Sequence, residues 1–160
     1  MNTNERTVDL VGDEAVGNVV RAALFAALTG AFAYVVFPNP VSPTDITLQV
    51  LGVFLAGIFL GPVWGGISLV LYLLAGSLGA PVFLGGSSGI ATLVGPTGGY
   101  LLSYPLAASV IGLVVHGGGE LRDASDAGLG RLLFALVLGV LVIYALGAAG
   151  LVLFGGLGVK

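Results

Sequence analysis

Pro81-Val82-Phe83-Leu84-Gly85-Gly86-Ser87-Ser88-Gly89-Ile90-Ala91-Thr92-Leu93-Val94-Gly95-Pro96-Thr97-Gly98-Gly99-Tyr100 is a loop without a single charge, set between strongly apolar runs. A second break, Pro38-Asn39-Pro40-Val41-Ser42-Pro43-Thr44-Asp45, lies upstream and carries one acid. In hydrocarbon an unpaired N–H or C=O is expensive, so irregular backbone at depth is tolerated only where protein buries it or a cavity adjoins it. Two such loops between apolar runs predict an all-α integral membrane protein with a pocket built into it.

The composition requires lipid. Of 160 residues 57% are hydrophobic and 8% charged, and the mean hydropathy is +1.10. A soluble domain carries about 25% charged residues, so this chain lacks the groups for a hydrated surface. Its 28 glycines suit close helix–helix approach in a bilayer. A net charge of -3 with no basic patch points to no nucleic-acid partner. Without cysteine there are no disulfides, thiolate metal sites or thiol redox chemistry. The single His116 and scattered carboxylates form no metal-binding set, and no metal or cofactor is expected. Residues 1–18, MNTNERTVDLVGDEAVGN, are polar and acidic, unlike a secretory signal. They read as a cytoplasmic arm ahead of one transmembrane domain, 19–160.

Five hydrophobic spans are predicted, at 19–37, 46–61, 63–79, 97–116 and 131–154. The second and third are at the short end of the roughly 17–25 residues that cross a bilayer. Gly61-Pro62, Gly79-Ala80-Pro81 and Gly117-Gly118-Gly119 mark junctions. Arg6 and Arg21 precede or open the first span, and Arg122 and Arg131 flank the turn before the last. The positive-inside rule therefore puts the N-terminus and the 117–130 turn in the cytoplasm. Both special loops then face outward.

The stretch Ser42-Pro43-Thr44-Asp45-Ile46-Thr47-Leu48-Gln49-Val50-Leu51-Gly52, with Leu60-Gly61-Pro62-Val63-Trp64-Gly65, Leu71-Tyr72-Leu73-Leu74-Ala75-Gly76, Gly95-Pro96-Thr97-Gly98-Gly99-Tyr100 and Val142-Ile143-Tyr144-Ala145-Leu146-Gly147, resembles the BioY family. These are biotin-specific substrate-binding (S) subunits of energy-coupling-factor (ECF) transporters. The resemblance covers roughly 20–155 and is specific in the pairing of ITLQVLG with GPTGGY. It implies high-affinity biotin binding near the external face of a six-helix S-component in the cytoplasmic membrane. A transmembrane T subunit and paired ATPases would drive uptake. The family's sixth helix opens with a Pro-Gly-Asp-x-x-Lys-like stretch, which has no counterpart before Lys160. That helix is expected to be missing or truncated here.

Biotin presents a ureido ring, an apolar thioether ring and a chain ending in a carboxylate, so its site should be mostly apolar with a few convergent polar groups. In the 81–96 loop Phe83 and Leu84 offer apolar surface, while Gly85, Gly86, Ser87 and Gly89 offer backbone amides and a hydroxyl; the same glycines would also serve a plain turn. Thr97, Gly98, Gly99 and Tyr100 open a helix whose N-terminal amides favour an anion, or else form an ordinary capped start. Pro43 belongs to the facing loop. Thr47 and Gln49 are polar at the start of a span, where Gln49 suits either the ureido group or the pinning of the 38–45 loop. Tyr144 reads either as a ligand contact or as an interhelical hydrogen-bonding residue. Tyr72 and Tyr104 read first as packing or belt residues, with ligand contact as the alternative. Asp45 reads as a helix cap, and His116 as a solvated helix end.

Ala22, Ala23, Ala26 and Ala27 form a small-residue face on the first span. By the resemblance it docks on the T subunit; by spacing alone it would equally serve packing inside the bundle. No nucleophile–base pair, carboxylate dyad or phosphate-binding loop is present, so no enzyme is expected. A solute-binding membrane protein for another small vitamin and a non-transporting scaffold are the competing readings.

Overall fold

The computed structural model describes residues 12–38, 40, 45–118 and 121–155. It is built of helix α1 (Asp13–Phe32), strands β1 (Val36–Phe37) and β2 (Ile46–Thr47), and helices α2 (Gln49–Ser77), α3 (Ile90–Leu93), α4 (Gly98–His116) and α5 (Leu129–Gly155). Among the described residues four helices, all but α3, are long and apolar enough to cross a membrane.

α1 begins inside the segment read as a polar arm. Asp13 and Glu14 occupy its first turn, where carboxylates complement the positive end of the helix dipole. It also ends before the expected limit of 37. Val36 and Phe37 instead pair antiparallel with Thr47 and Ile46, a two-residue ribbon that an all-α reading did not contain. The ribbon satisfies backbone groups of a segment flanked by prolines, which cannot continue a helix.

The spans expected at 46–61 and 63–79 form one helical element with a reversal inside it. Gly61 adopts φ 76°, ψ -173°, a region open in practice only to glycine. Pro62 follows with a fixed φ and no N–H to leave unpaired, which suits a helix start. Two contacts demonstrate the reversal. A Cβ built on Gly65 falls 2.9 Å from the Ala56 carbonyl. Gln49 hydrogen-bonds Tyr72, 23 residues on, a separation that a straight helix would stretch to roughly 35 Å. The limbs, 49–60 and 62–77, are about 18 and 24 Å long at 1.5 Å per residue.

The limbs of α2 pack between α1 and α4, and α5 packs on α4. Residues without side chains make these approaches close. Gly52 meets Thr29 of α1, Gly57 meets Ala108 and Ile111 of α4, and Gly99 of α4 meets Gly150 of α5. Ser68 Oγ donates to the Ala22 carbonyl at 2.7 Å, tying the second limb to α1. The main core joins Val53, Leu69, Tyr72, Phe83, Leu101, Tyr104 and Ile143; Ile111, Val115 and Ala135 form a second cluster.

The bundle has two distinct ends. At one, the Gly61 reversal meets Leu121 and the last turn of α4. His116, expected to be solvated, is 2% exposed there. Its Nε2 lies 2.7 Å from the Ile58 carbonyl, and its Nδ1 accepts from the Arg122 amide at 3.1 Å. A ring nitrogen that accepts cannot carry the proton, so Nε2–H donates to Ile58. Arg131 Nε adds a bond to the Val114 carbonyl at 2.5 Å. In the connecting segment Ser125 donates side-chain and backbone bonds to Asp123, holding its carboxyl below the usual carboxylate range.

Candidate functional site

The other end collects residues 33–37, 45–48 and the 78–97 connection. This connection is pinned along its length rather than draped. The Tyr34 hydroxyl donates to the Pro81 carbonyl at 2.6 Å and the Gly85 amide to Ala33 at 3.2 Å. The Gly89 amide reaches the Gly76 carbonyl at 2.8 Å. Gly85 and Gly89 have φ of 61° and 91°, which explains glycine at both.

Beneath this end lies a cavity of about 310 Å³, within the range of roughly 300–1,000 Å³ typical of small-molecule sites. Ile46, Thr47, Gln49, Val50 and Phe54 form one wall; Thr97, Tyr100, Leu101 and Tyr104 of the α4 segment form a second. Val140, Ile143 and Tyr144 of α5 form a third, with Leu84 and Asp45 at the rim. Asp45 is the one formal charge among these lining residues. It does not cap α2, whose N-cap is Leu48 with no side-chain cap bond.

Of the residues singled out in the sequence, Thr47, Gln49, Thr97, Tyr100 and Tyr144 are brought together around this one cavity. Tyr100 and Tyr144 meet edge to face at 6.1 Å, closing the α4–α5 side. Tyr144 is 54% exposed, with its outer surface on the flank of the bundle.

Phe83 is wholly buried but not in the cavity wall. Its ring fills the space over Gly76 and meets Tyr72 edge to face at 5.5 Å; Leu84 alone of that pair reaches the rim. Gly98 and Gly99 serve packing as well. A Cβ at 98 would fall 1.8 Å from the Leu93 carbonyl, and one at 99 would fall 2.7 Å from Gly150 Cα. The Gly98 amide already donates to Gly95 at 2.9 Å. Gly85, Gly86, Ser87 and Gly89 lie outside the lining, where Gly86 sits against the Tyr34 ring. Pro43 lies outside the described residues.

The alanine face divides in two. Ala22 is fully buried and Ala26 packs on the core, whereas Ala23 and Ala27 point away from the bundle. Val50, Phe54, Leu101, Val140 and Ile143 line the cavity without having been expected to, and Tyr104 lines it although packing or a belt position was the first expectation for it. The available signal was helical spacing: Val140 and Ile143 precede Tyr144 at i−4 and i−1, and Tyr104 follows Tyr100 at i+4.

The polar wall is a buried chain. Thr47 Oγ1 donates to Gln49 Oε1 at 2.7 Å, and Gln49 Nε2 donates to the Tyr72 hydroxyl and, at 3.4 Å, to the Val82 carbonyl. Tyr72 donates to the same carbonyl at 3.1 Å. Among the described residues no buried side-chain nitrogen or oxygen lacks a partner.

These features define a multi-pass helical membrane protein with a solute-sized, largely apolar chamber at one end of its bundle. The model of the BioY family matches residues 2–160, and the chain belongs to that family. It is 41% identical over 134 residues to the probable biotin transporter BioY of Pyrococcus horikoshii, spanning 84% of this chain and 74% of that one. It is 39% identical over 147 residues to the biotin transporter BioY of Rhodobacter capsulatus, spanning 89% and 73%. The crystal structure of the S-component for biotin from an ECF-type ABC transporter superposes with a TM-score of 0.78 at 28% identity, covering 91% of this chain and 77% of that one.

Proposed function

We propose that this protein binds biotin in the cavity between α2, α4 and α5 and is the substrate-specific subunit for biotin uptake in an ECF transporter. The observation that carries the reading is the cavity itself. Its size suits one small solute, its walls are mainly apolar, and its buried polar groups cluster at Thr47 and Gln49. That division matches a ligand with a hydrogen-bonding ureido ring, a thioether ring and an alkyl chain. Similarity to biotin transporters across most of the chain supports the same ligand.

In this reading each limb of α2 crosses most of the bilayer, making five crossings with α1, α4 and α5. The N-terminus and the Gly61 end face the cytoplasm and the cavity end faces outward, in keeping with Arg21, Arg122 and Arg131 near the first of these ends. Ala23 and Ala27, which point away from the bundle, are the face offered to a T subunit, whose paired ATPases supply the energy. Titration of the detergent-purified protein with biotin, riboflavin and thiamine tests the assignment. Heat or fluorescence response to biotin alone is expected; equal response to all three, or none to biotin, would overturn it.

A further inference from the structure

The Val82 carbonyl sets the direction of the hydrogen-bond chain that ends in the cavity wall. A carbonyl oxygen only accepts. Among the described residues two groups reach it, the Tyr72 hydroxyl at 3.1 Å and Gln49 Nε2 at 3.4 Å. Tyr72 gives its one proton to Val82, so toward Gln49 its oxygen acts as acceptor and the amide nitrogen is the donor. With the amide reversed, Tyr72 would have to turn its proton to Gln49. Val82 would then lose both donors while facing a second carbonyl-type oxygen. Leaving a buried acceptor unmet is the costly alternative.

Both N–H groups of Gln49 are therefore directed at Tyr72 and Val82, away from any ligand. Among the described residues its Oε1 accepts from Thr47 alone, which leaves it one lone pair. Gln49 is 2% exposed and lines the cavity, so that lone pair is what it has left to present there. We propose that Gln49 meets the ligand as an acceptor and so selects a ureido N–H, not the ureido oxygen, with Tyr72 as the positioning residue that locks the amide. This rests on the reading of the cavity as a biotin site.

The test compares biotin with its two ureido N-methyl derivatives, titrated into the full chain in detergent. One derivative should bind at least about ten-fold more weakly than biotin, because its methyl group leaves Oε1 unmet. In Gln49→Leu, biotin itself should weaken by a similar factor and the gap to that derivative should close. A purely steric effect of the methyl group would leave the gap in place. Tyr72→Phe keeps the ring packed on Phe83 and Tyr104; it should keep its Tm to within a few degrees while the gap narrows. Equal binding of biotin and both derivatives, or an undiminished gap in both variants, would overturn the proposal. Absence of biotin binding by the unmutated protein would instead overturn the biotin reading, and this inference with it.

Discussion

Gly99→Ala tests whether the α4–α5 seam holds the cavity closed. The added Cβ would lie 2.7 Å from Gly150 Cα and 2.8 Å from the Leu146 carbonyl. Both are backbone atoms, so no rotamer change relieves the contact. Carbon atoms meet comfortably at roughly 3.5–4.0 Å, so the helices must part by about 1 Å, and a gap of that order forfeits about a quarter to a half of each neighbouring dispersion contact. Overpacking of this kind costs about 1–3 kcal/mol. Opposing it is the helix preference of alanine over glycine, worth about 1 kcal/mol. Gly17→Ala on α1 isolates that second effect, since a Cβ there meets nothing within 4 Å. The two variants should therefore differ in stability by about 1–3 kcal/mol, or about 2–12 °C in Tm at roughly 2–4 °C per kcal/mol. Thermal unfolding in one detergent, paired with biotin titration, reads both quantities. Tyr100 follows Gly99 directly and faces Tyr144 across the seam, so affinity should fall along with Tm. Equal Tm for the two variants would refute the contact argument. Biotin binding lost at a Tm equal to that of Gly17→Ala would put the ligand against Gly99 instead.

Three further outcomes are expected. His116→Phe leaves the Ile58 carbonyl and the Arg122 amide unpartnered, at about 1–3 kcal/mol each; Tm should drop and trypsin should cut at Arg122 faster, whereas unchanged cleavage would show that the ring does not hold this segment. Ala23→Leu and Ala27→Leu should keep biotin binding but lose uptake and co-purification with a T subunit, while Ala22→Leu, at a site with no free space, should lower Tm by several degrees. Uptake unaffected by the first two would remove the outward alanines from partner docking. Cysteines replacing Ser87 and Ser125 in this cysteine-free chain should be labelled from outside and from the cytoplasm respectively by an impermeant thiol reagent, and the reverse pattern would invert the orientation.

The features that could be read from sequence are those whose cause is local. Apolar length, the scarcity of charge, and the Pro and Gly punctuation depend on neighbours within one segment. They located α4 to within a residue and α5 to within two at its start. They failed at α1, where the dipole and two carboxylates extend a helix into a polar segment. They failed again at 33–47, where 36–37 pairs with 46–47 in a short ribbon that neither dipeptide announces by its own composition. His116 looked solvated because Ile58, 58 residues away, meets its ring only once α2 has packed on α4.

The candidate site shows the same division. Polar residue type alone pointed to Thr47 and Gln49, because an uncompensated amide or hydroxyl in lipid requires a partner. Glycine type alone could not say whether Gly98 and Gly99 face a ligand or a helix, since a missing side chain serves close approach to either. The Leu93 carbonyl over Gly98 and Gly150 opposite Gly99 supply a packing reason for both. Likewise, which end of the Gln49 amide is free depends on Val82, 33 residues away. The sequence determined that this chain lies in lipid, where its helices begin to break and which family it belongs to, since each follows from side-chain chemistry read in order. Tertiary structure decided which of those side chains share one cavity, because a hydrogen bond or a steric contact exists only between groups that folding has brought within a few ångströms.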